Sequence, residues 1–284
     1  MAITADVDIC NLALHKVGDK SITAAELADP GNEPAAYHCK SLFEPERDMM
    51  LAAHPWNFAL KRVEYDIDDF KDTITGTTAA EPVVVTGTDI SIANILEGLG
   101  VYIWDTGIED LDGDIYVATN VVDASQTLEL YKRDRTTKVD GSAYGVATSG
   151  YIRLAPLLSE YDYMFKLPDN CLRVFKLMPA NYNFTVEQGY LLTDDDEPHV
   201  KYIEKVTDVS KYPAPFIMAL ATKLEAELWA ALAGKPNEKL KTLEYLNLVV
   251  IPEAKRLNAI EKLDKTKGRK SDLNELTAWQ KEGH

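Results

Sequence analysis

No apolar run in the chain approaches the roughly 18–20 residues of a membrane-spanning helix, so no membrane partner is expected. Cations are also scarce. Lys and Arg number 30 against 46 Asp and Glu, a formal net charge of −16, and a surface of that sign repels phosphate rather than gathering it. Sequence-specific nucleic-acid binding is therefore not expected, whereas a channel that passes DNA without holding it benefits from the same shortage. The three cysteines, Cys10, Cys39 and Cys171, are too few and too dispersed for a disulfide framework and read as small buried apolar residues. A Gly-rich phosphate loop, a Gly-x-Ser-x-Gly elbow and a His-Glu-x-x-His run are all missing, so the corresponding enzyme classes have no support and no cofactor is expected. The opening MAITADVDIC lacks the basic and apolar segments of a signal peptide, which predicts synthesis and retention in a cytosol.

What is present is 46% hydrophobic content over 284 residues, enough for one large domain or two small ones. The most informative stretch runs from Tyr37 to Arg62. Leu42, Phe43, Met49, Met50 and Ala53 recur on one face of a helix, with Pro45 expected to kink it or start its second half. Pro55 biases His54 away from helical geometry, and Trp56, Phe58 and Leu60 then alternate with Asn57, Ala59 and Lys61 at strand period. Pro55, Trp56 and Phe58 are accordingly assigned to a core hinge, because buried aromatics dominate local packing.

Upstream, Asp8 is expected to cap a first helix striped by Ile9, Leu12, Ala13 and Val17 and stopped by Gly18, with a surface loop over residues 21–35. From Ile67 the pattern becomes short β-rich runs between Gly-containing turns, with strands expected at 83–86, 100–104, 115–118 and 127–131. After Tyr151 come further strand candidates, the acidic turn Asp194 to Glu197, and a long helix opened by Pro213 and Pro215. A second helix follows, with Leu240, Leu243, Leu246 and Val250 on its inner side and a break or kink at Pro252. The last segment pairs the basic residues Lys265, Lys267, Arg269 and Lys270 with a stripe of Leu273, Leu276 and Trp279, the signature of a tail that folds on a partner.

Three constellations could carry chemistry. Cys10, His15, His38, Cys39 and His54 are good zinc donors, but their spacing matches no zinc motif and they read as core residues. Asp110, Asp112 and Asp114 resemble the start of a calcium loop, yet Ile115 and Val121 stand where Gly and Glu are required, so a hairpin turn is expected. Asp194 to Glu197 could supply paired carboxylates for glycoside hydrolysis, although four acids before a Pro read better as a solvated turn.

The combination of Cys10 to Leu14 with Gly18, then RDMML, then HPWNFA, resembles the adaptor, or tail tubular protein A, family of tailed bacteriophages, over about residues 1–65 and 155–262. Within the intervening segment, Leu111 to Val117, Leu128 to Leu130 and Val139 to Ser142 resemble the small β module named for the first catalytic-cysteine half-domain of ubiquitin-activating enzymes. That segment has no cysteine, so thioester chemistry is not implied, and the resemblance implies only a β-barrel-like fold. The combined expectation is an α+β fold: a helical bundle of residues 1–66 and 153–263, a small β-rich inserted domain of residues 67–152, and a C-terminal tail of residues 264–284. The adaptor resemblance implies a structural virion protein, not an enzyme, made in the host bacterial cytoplasm. It implies a ring of twelve copies in the tail neck, bound to the portal protein through the tail and to other tail proteins such as the nozzle or tail tube, with DNA passing non-specifically. The alternative expectation is a cell-wall glycosidase or a carbohydrate-binding tail component.

Overall fold

The computed structural model describes residues 3–89, 94–157, 159–178 and 182–263. The chain divides into two compact units, residues 1–61, 170–173 and 202–284 in one, and residues 62–169 and 174–201 in the other.

In the first unit, α1 (Asp6–Val17) begins two residues before the expected cap. Asp8 lies in its first turn, where its carboxylate accepts hydrogen bonds from the Thr4 and Ala5 backbone N–H groups at 2.9 and 3.0 Å. Gly18 ends the helix at φ +86, a left-handed conformation that a side chain would strain. The stretch expected to be a loop contains a short helix, α2 (Ala24–Ala28), because Thr23 and Glu26 close a reciprocal capping box. Helix α3 (Pro34–Ala53) runs uninterrupted through Pro45 and stops at His54, which is extended before Pro55. Its buried stripe differs from the expected one: Met49 and Ala53 are exposed, whereas Glu46 and Arg47 are buried beside Phe43 and Met50. Trp56 and Phe58 do not begin a strand. Asn57–Ala59 form a 3-10 turn, and β1 (Leu60–Glu64) starts only after it; Asn57 donates its backbone N–H to Asn258 Oδ1 at 2.8 Å and its side-chain amide to the Asn258 carbonyl at 2.6 Å.

Helix α4 (Ala214–Ala231) is the centre of this unit. Phe216, Ile217, Leu220, Leu224 and Leu228 are all buried, and Phe216 meets Trp56, Phe58 and Tyr212 with ring centroids 5.0–5.3 Å apart. Polar tethers reinforce the packing: Lys223 lies 3.7 Å from Glu46 and 3.5 Å from Glu227, which also accepts from Lys239 at 2.6 Å. Burial pushes the Glu46 carboxyl above the usual carboxylate range, and the nearby Lys223 only partly opposes this. The folded state thus holds the Glu46 proton more tightly than the unfolded chain does. The penalty for charging Glu46 develops as pH rises from the unfolded value through the folded one, and is fully present above that window. We expect Glu46→Gln to be at least as stable as the parent at neutral pH, and its stability to vary less with pH across the window. Denaturant midpoints of both chains measured against pH check this, and a less stable variant with an unchanged pH slope would contradict it.

In the second unit, β2 (Lys71–Thr77), β3 (Val84–Gly87), β4 (Gly100–Trp104), β5 (Ile115–Val122), β6 (Thr127–Tyr131) and β7 (Tyr151–Leu154) close into an antiparallel barrel of order β2-β3-β6-β5-β4-β7. Alternation decides which side chains enter: Val101 and Ile103 of β4, Leu128 and Leu130 of β6, and Ile152 and Leu154 of β7 point inward. Gly100 is required because an added Cβ would meet Leu157 Cγ at 2.8 Å. A second, three-stranded sheet in this unit has the order β10-β11-β8, with β8 at Tyr163–Lys166, β10 at Phe184–Glu187 and β11 at Tyr190–Thr193. β10 and β11 form an antiparallel hairpin. Strands β1, β9 (Cys171–Met178) and β12 (His199–Glu204) carry the chain across the division between the units.

The expectation of a helical bundle with a small β-rich insertion is therefore corrected. The chain is β-rich, with twelve strands among the described residues and a closed six-stranded barrel. Two features hid this from local periodicity. The barrel closes through β7, which pairs with β2 about 80 residues earlier and spans the expected boundary at residue 152, and such long-range pairing leaves no local trace.

Candidate interaction surface on the helical unit

The helices after α4 expose several large apolar side chains. Helix α5 (Pro236–Tyr245) leads into a π-helical turn, Leu246–Val250, and then α6 (Ile251–Leu263). Pro252 neither breaks nor ends the helix. It has no N–H to give to the carbonyl four residues back, and its ring would clash there. The chain widens instead, so that the Ile251 N–H donates to the Leu246 carbonyl five residues back. Leu246 is buried against α4, but Leu248 is 68% exposed and Val249 49%. Leu240, expected on the inner side, is 64% exposed, and Tyr245 is 54% exposed.

Beside this turn lies an open groove of ≈ 380 Å³. Met218 and Pro215 of α4 form one wall, Tyr245, Val249 and Val250 the other, and Ala254 and Leu257 the floor toward α6. Its two charged residues are already engaged. Lys16 Nζ lies 3.1 Å from Glu225 and donates to Thr222 Oγ1 at 3.1 Å, while Glu253 accepts two hydrogen bonds from Arg256 at 2.8 and 2.6 Å. An occupant would thus meet apolar surface and no unpaired charge, a setting that recognises apolar side chains rather than a polar ligand.

The other sequence candidates lie elsewhere. Trp56 is buried in the aromatic cluster, with its Nε1 donating to the Met50 carbonyl at 2.9 Å, and Phe58 is half-buried beside it. Cys10 and Cys39 are buried, whereas His15 is exposed and hydrogen-bonds Ser21 at 2.6 Å. Among the described residues no group of three or more His, Cys, Asp or Glu is placed to hold a metal ion. Asp112 braces a turn by accepting from the Thr106 N–H, the Thr106 hydroxyl and the Gly107 N–H at 2.9, 2.7 and 3.1 Å. In the acidic run, Asp194 accepts from the Asp162 N–H at 3.3 Å, and the buried Asp195 from the Glu197 N–H at 3.3 Å, so both carboxylates brace backbone. Leu273, Leu276, Trp279, Lys267, Arg269 and Lys270 lie outside the described residues. No helix among the described residues is long and apolar enough to cross a membrane.

Sequence reasoning missed an aromatic column on the outer face of the barrel unit. Arg153 Cζ sits 4.9 Å from the Tyr163 ring and 5.0 Å from that of Tyr102. Tyr102, Trp104 and Tyr151 then follow at 5.5 Å centroid steps, and Lys71 Nζ caps Tyr151 at 5.0 Å. The only sequence signal was the outward alternation in GVYIW and YIRL; the cross-strand register that aligns them is tertiary. The rings and cations line up from strand to strand, so the column clasps β8, β4, β7 and β2.

No protein-family model matches this sequence, and no curated protein does.

Proposed function

We propose that this chain is a non-enzymatic structural subunit, a head-to-tail adaptor that assembles as a ring below the portal of a tailed-phage virion. The observation that carries the reading is the run of exposed Leu240, Tyr245, Leu248 and Val249 along the last helices of the first unit. Tyr245 and Val249 line one groove, and contiguous exposed apolar surface marks an interaction site. The resemblance of Cys10 to Leu14, RDMML and HPWNFA to phage adaptors supplies the kind of assembly, and the net charge of −16 suits a channel that does not retain DNA. Two carboxylates that brace backbone and a column of mutually stacked rings lend nothing to the glycosidase or carbohydrate-binding alternative.

Native mass measurement of the chain alone and mixed with a tailed-phage portal tests the proposal. A closed oligomer of one stoichiometry, formed alone or on the portal and weakened by Leu248→Asp, is the expected result. A chain that stays monomeric in both conditions would overturn it.

A further inference from the structure

Register in the three-stranded sheet of the second unit gathers one set of side chains on a single face. Glu187 of β10 is the cross-strand partner of Tyr190 in β11, and Met164 of β8 is the partner of Leu192. Partners in an antiparallel pair point the same way, as do alternate residues such as Tyr190 and Leu192. All four line a cavity of ≈ 270 Å³, together with residues 97–100 at the start of β4, residues 155–157 after β7, and Arg135 from the connection between β6 and β7. That wall is held in place by backbone. The Ala155 N–H donates to the Gly100 carbonyl at 2.9 Å and the Gly98 N–H to the Ala118 carbonyl at 2.8 Å, while Glu97 accepts from the Val121 N–H at 3.2 Å.

The charged groups of this cavity are not matched by the fold. Arg135, Glu97 and Glu187 form no ion pair with one another or with any other described residue, although all three line the same space. Tyr190, in the same wall, is 6% exposed, and its hydroxyl hydrogen-bonds no described residue, whereas a buried tyrosine hydroxyl ordinarily finds a partner. Nor is that hydroxyl sealed in the interior, as the unpartnered carboxylate oxygens of Asp72 and Asp195 are, so it meets accessible space at the cavity. Burial raises the phenol pKa above its ordinary value, which keeps the group protonated and a donor.

One cation and two carboxylates define the ligand class. A phosphate or simple carboxylate would meet Arg135 but also two like charges. A bare metal ion would find two carboxylates beside a guanidinium, and among the described residues no group of three or more His, Cys, Asp or Glu is placed to hold one. A molecule with one anionic and two cationic groups leaves none of the three unpaired. We propose that this cavity binds a free basic α-amino acid, of the lysine or arginine type, with its methylene chain against Leu157, Met164 and Leu192. The Arg135 guanidinium and the Tyr190 hydroxyl are the donors available to its carboxylate, and Glu97 and Glu187 are the acceptors for its α-ammonium and side-chain cation. The volume agrees, because pockets for larger, drug-sized ligands begin at about 300 Å³. The site lies wholly in the barrel unit and rests on nothing in the ring reading.

Calorimetric titration of the full-length chain with L-lysine and with L-arginine tests the assignment. L-norleucine, which lacks the side-chain cation, and cadaverine, which lacks the carboxylate, serve as probes. Saturable binding of at least one basic amino acid is expected, with both probes weaker by about tenfold or more, the effect of losing one charge-assisted contact. Arg135→Gln and Tyr190→Phe should weaken the amino acid by a similar factor without weakening cadaverine, whereas Glu187→Gln should weaken both. Arg135 and Glu187 are exposed and Tyr190→Phe removes a single oxygen, so all three variants should melt as the parent does. Absence of saturable binding by either amino acid overturns the proposal. Norleucine or cadaverine binding as tightly as the amino acid also overturns it, as does amino-acid binding that the three variants leave unchanged, which would place the ligand elsewhere.

Discussion

Trp56→Ala is expected to destabilise the folded chain by about 3–5 kcal/mol, the range for truncating a large aromatic in a core that cannot collapse around the gap. Trp56 is 3% exposed, and its ring meets Phe216 at 5.3 Å and His54 at 4.7 Å, both nearly edge-on. Its Nε1–H is the partner of the Met50 carbonyl in the last turn of α3, so truncation also strips a buried acceptor. The surrounding residues are held by other constraints: α4 by its own buried stripe, and Asn57 by its two hydrogen bonds to Asn258. They cannot close the space. Denaturant titration followed by far-UV dichroism measures the effect. A loss below about 1 kcal/mol would mean that the cluster around Phe216 repacks and that Trp56 is not its keystone.

Leu128→Ala is expected to cost about 2–5 kcal/mol, toward the upper end of that range. Leu128 is fully buried in β6, opposite Val85 of β3, and β6 is hydrogen-bonded to β3 on one side and β5 on the other. A closed barrel leaves no free edge along which a strand could shift inward, so most of the cavity should persist. The same truncation at the half-exposed Val186 of β10 should cost far less, and equal losses at the two sites would show that the barrel relaxes as readily as an open sheet. Equilibrium unfolding of both variants decides between these outcomes.

Much of the local structure could be read directly from the residues. Gly18 ends α1, Pro55 ends α3 by forcing His54 to be extended, and β4 and β6 occupy residues 100–104 and 127–131 as their alternation required. The misreadings have physical causes. Period placed Met49 and Ala53 inside α3, but Glu46 and Arg47 are the buried residues of that stretch, with Lys223 3.7 Å from Glu46 and Asp48 2.8 Å from Arg47. Period also placed Leu240 inside, and Pro252 pointed to a break or kink. The helix instead passes Pro252 through a π-helical turn in which the Ile251 N–H donates to the Leu246 carbonyl, an accommodation that residue period does not record. The aromatic column was invisible for a related reason, since Tyr102, Trp104 and Tyr151 align only once β4 and β7 take their register.

The sequence by itself determined where elements stop, which residues alternate, the acidic balance and the scarcity of catalytic motifs, because these follow from sterics and charge within a few residues of chain. Only the tertiary structure decided that the chain is β-rich rather than a helical bundle with a small insertion, and that its barrel closes through β7. It also decided which faces of α3 and α5 are covered, and that a groove stands open beside the π-helical turn. Each of those outcomes rests on pairings between residues far apart in the chain, such as β2 with β7 and Asn57 with Asn258, whose free energy appears only when the chain has closed the loop between them.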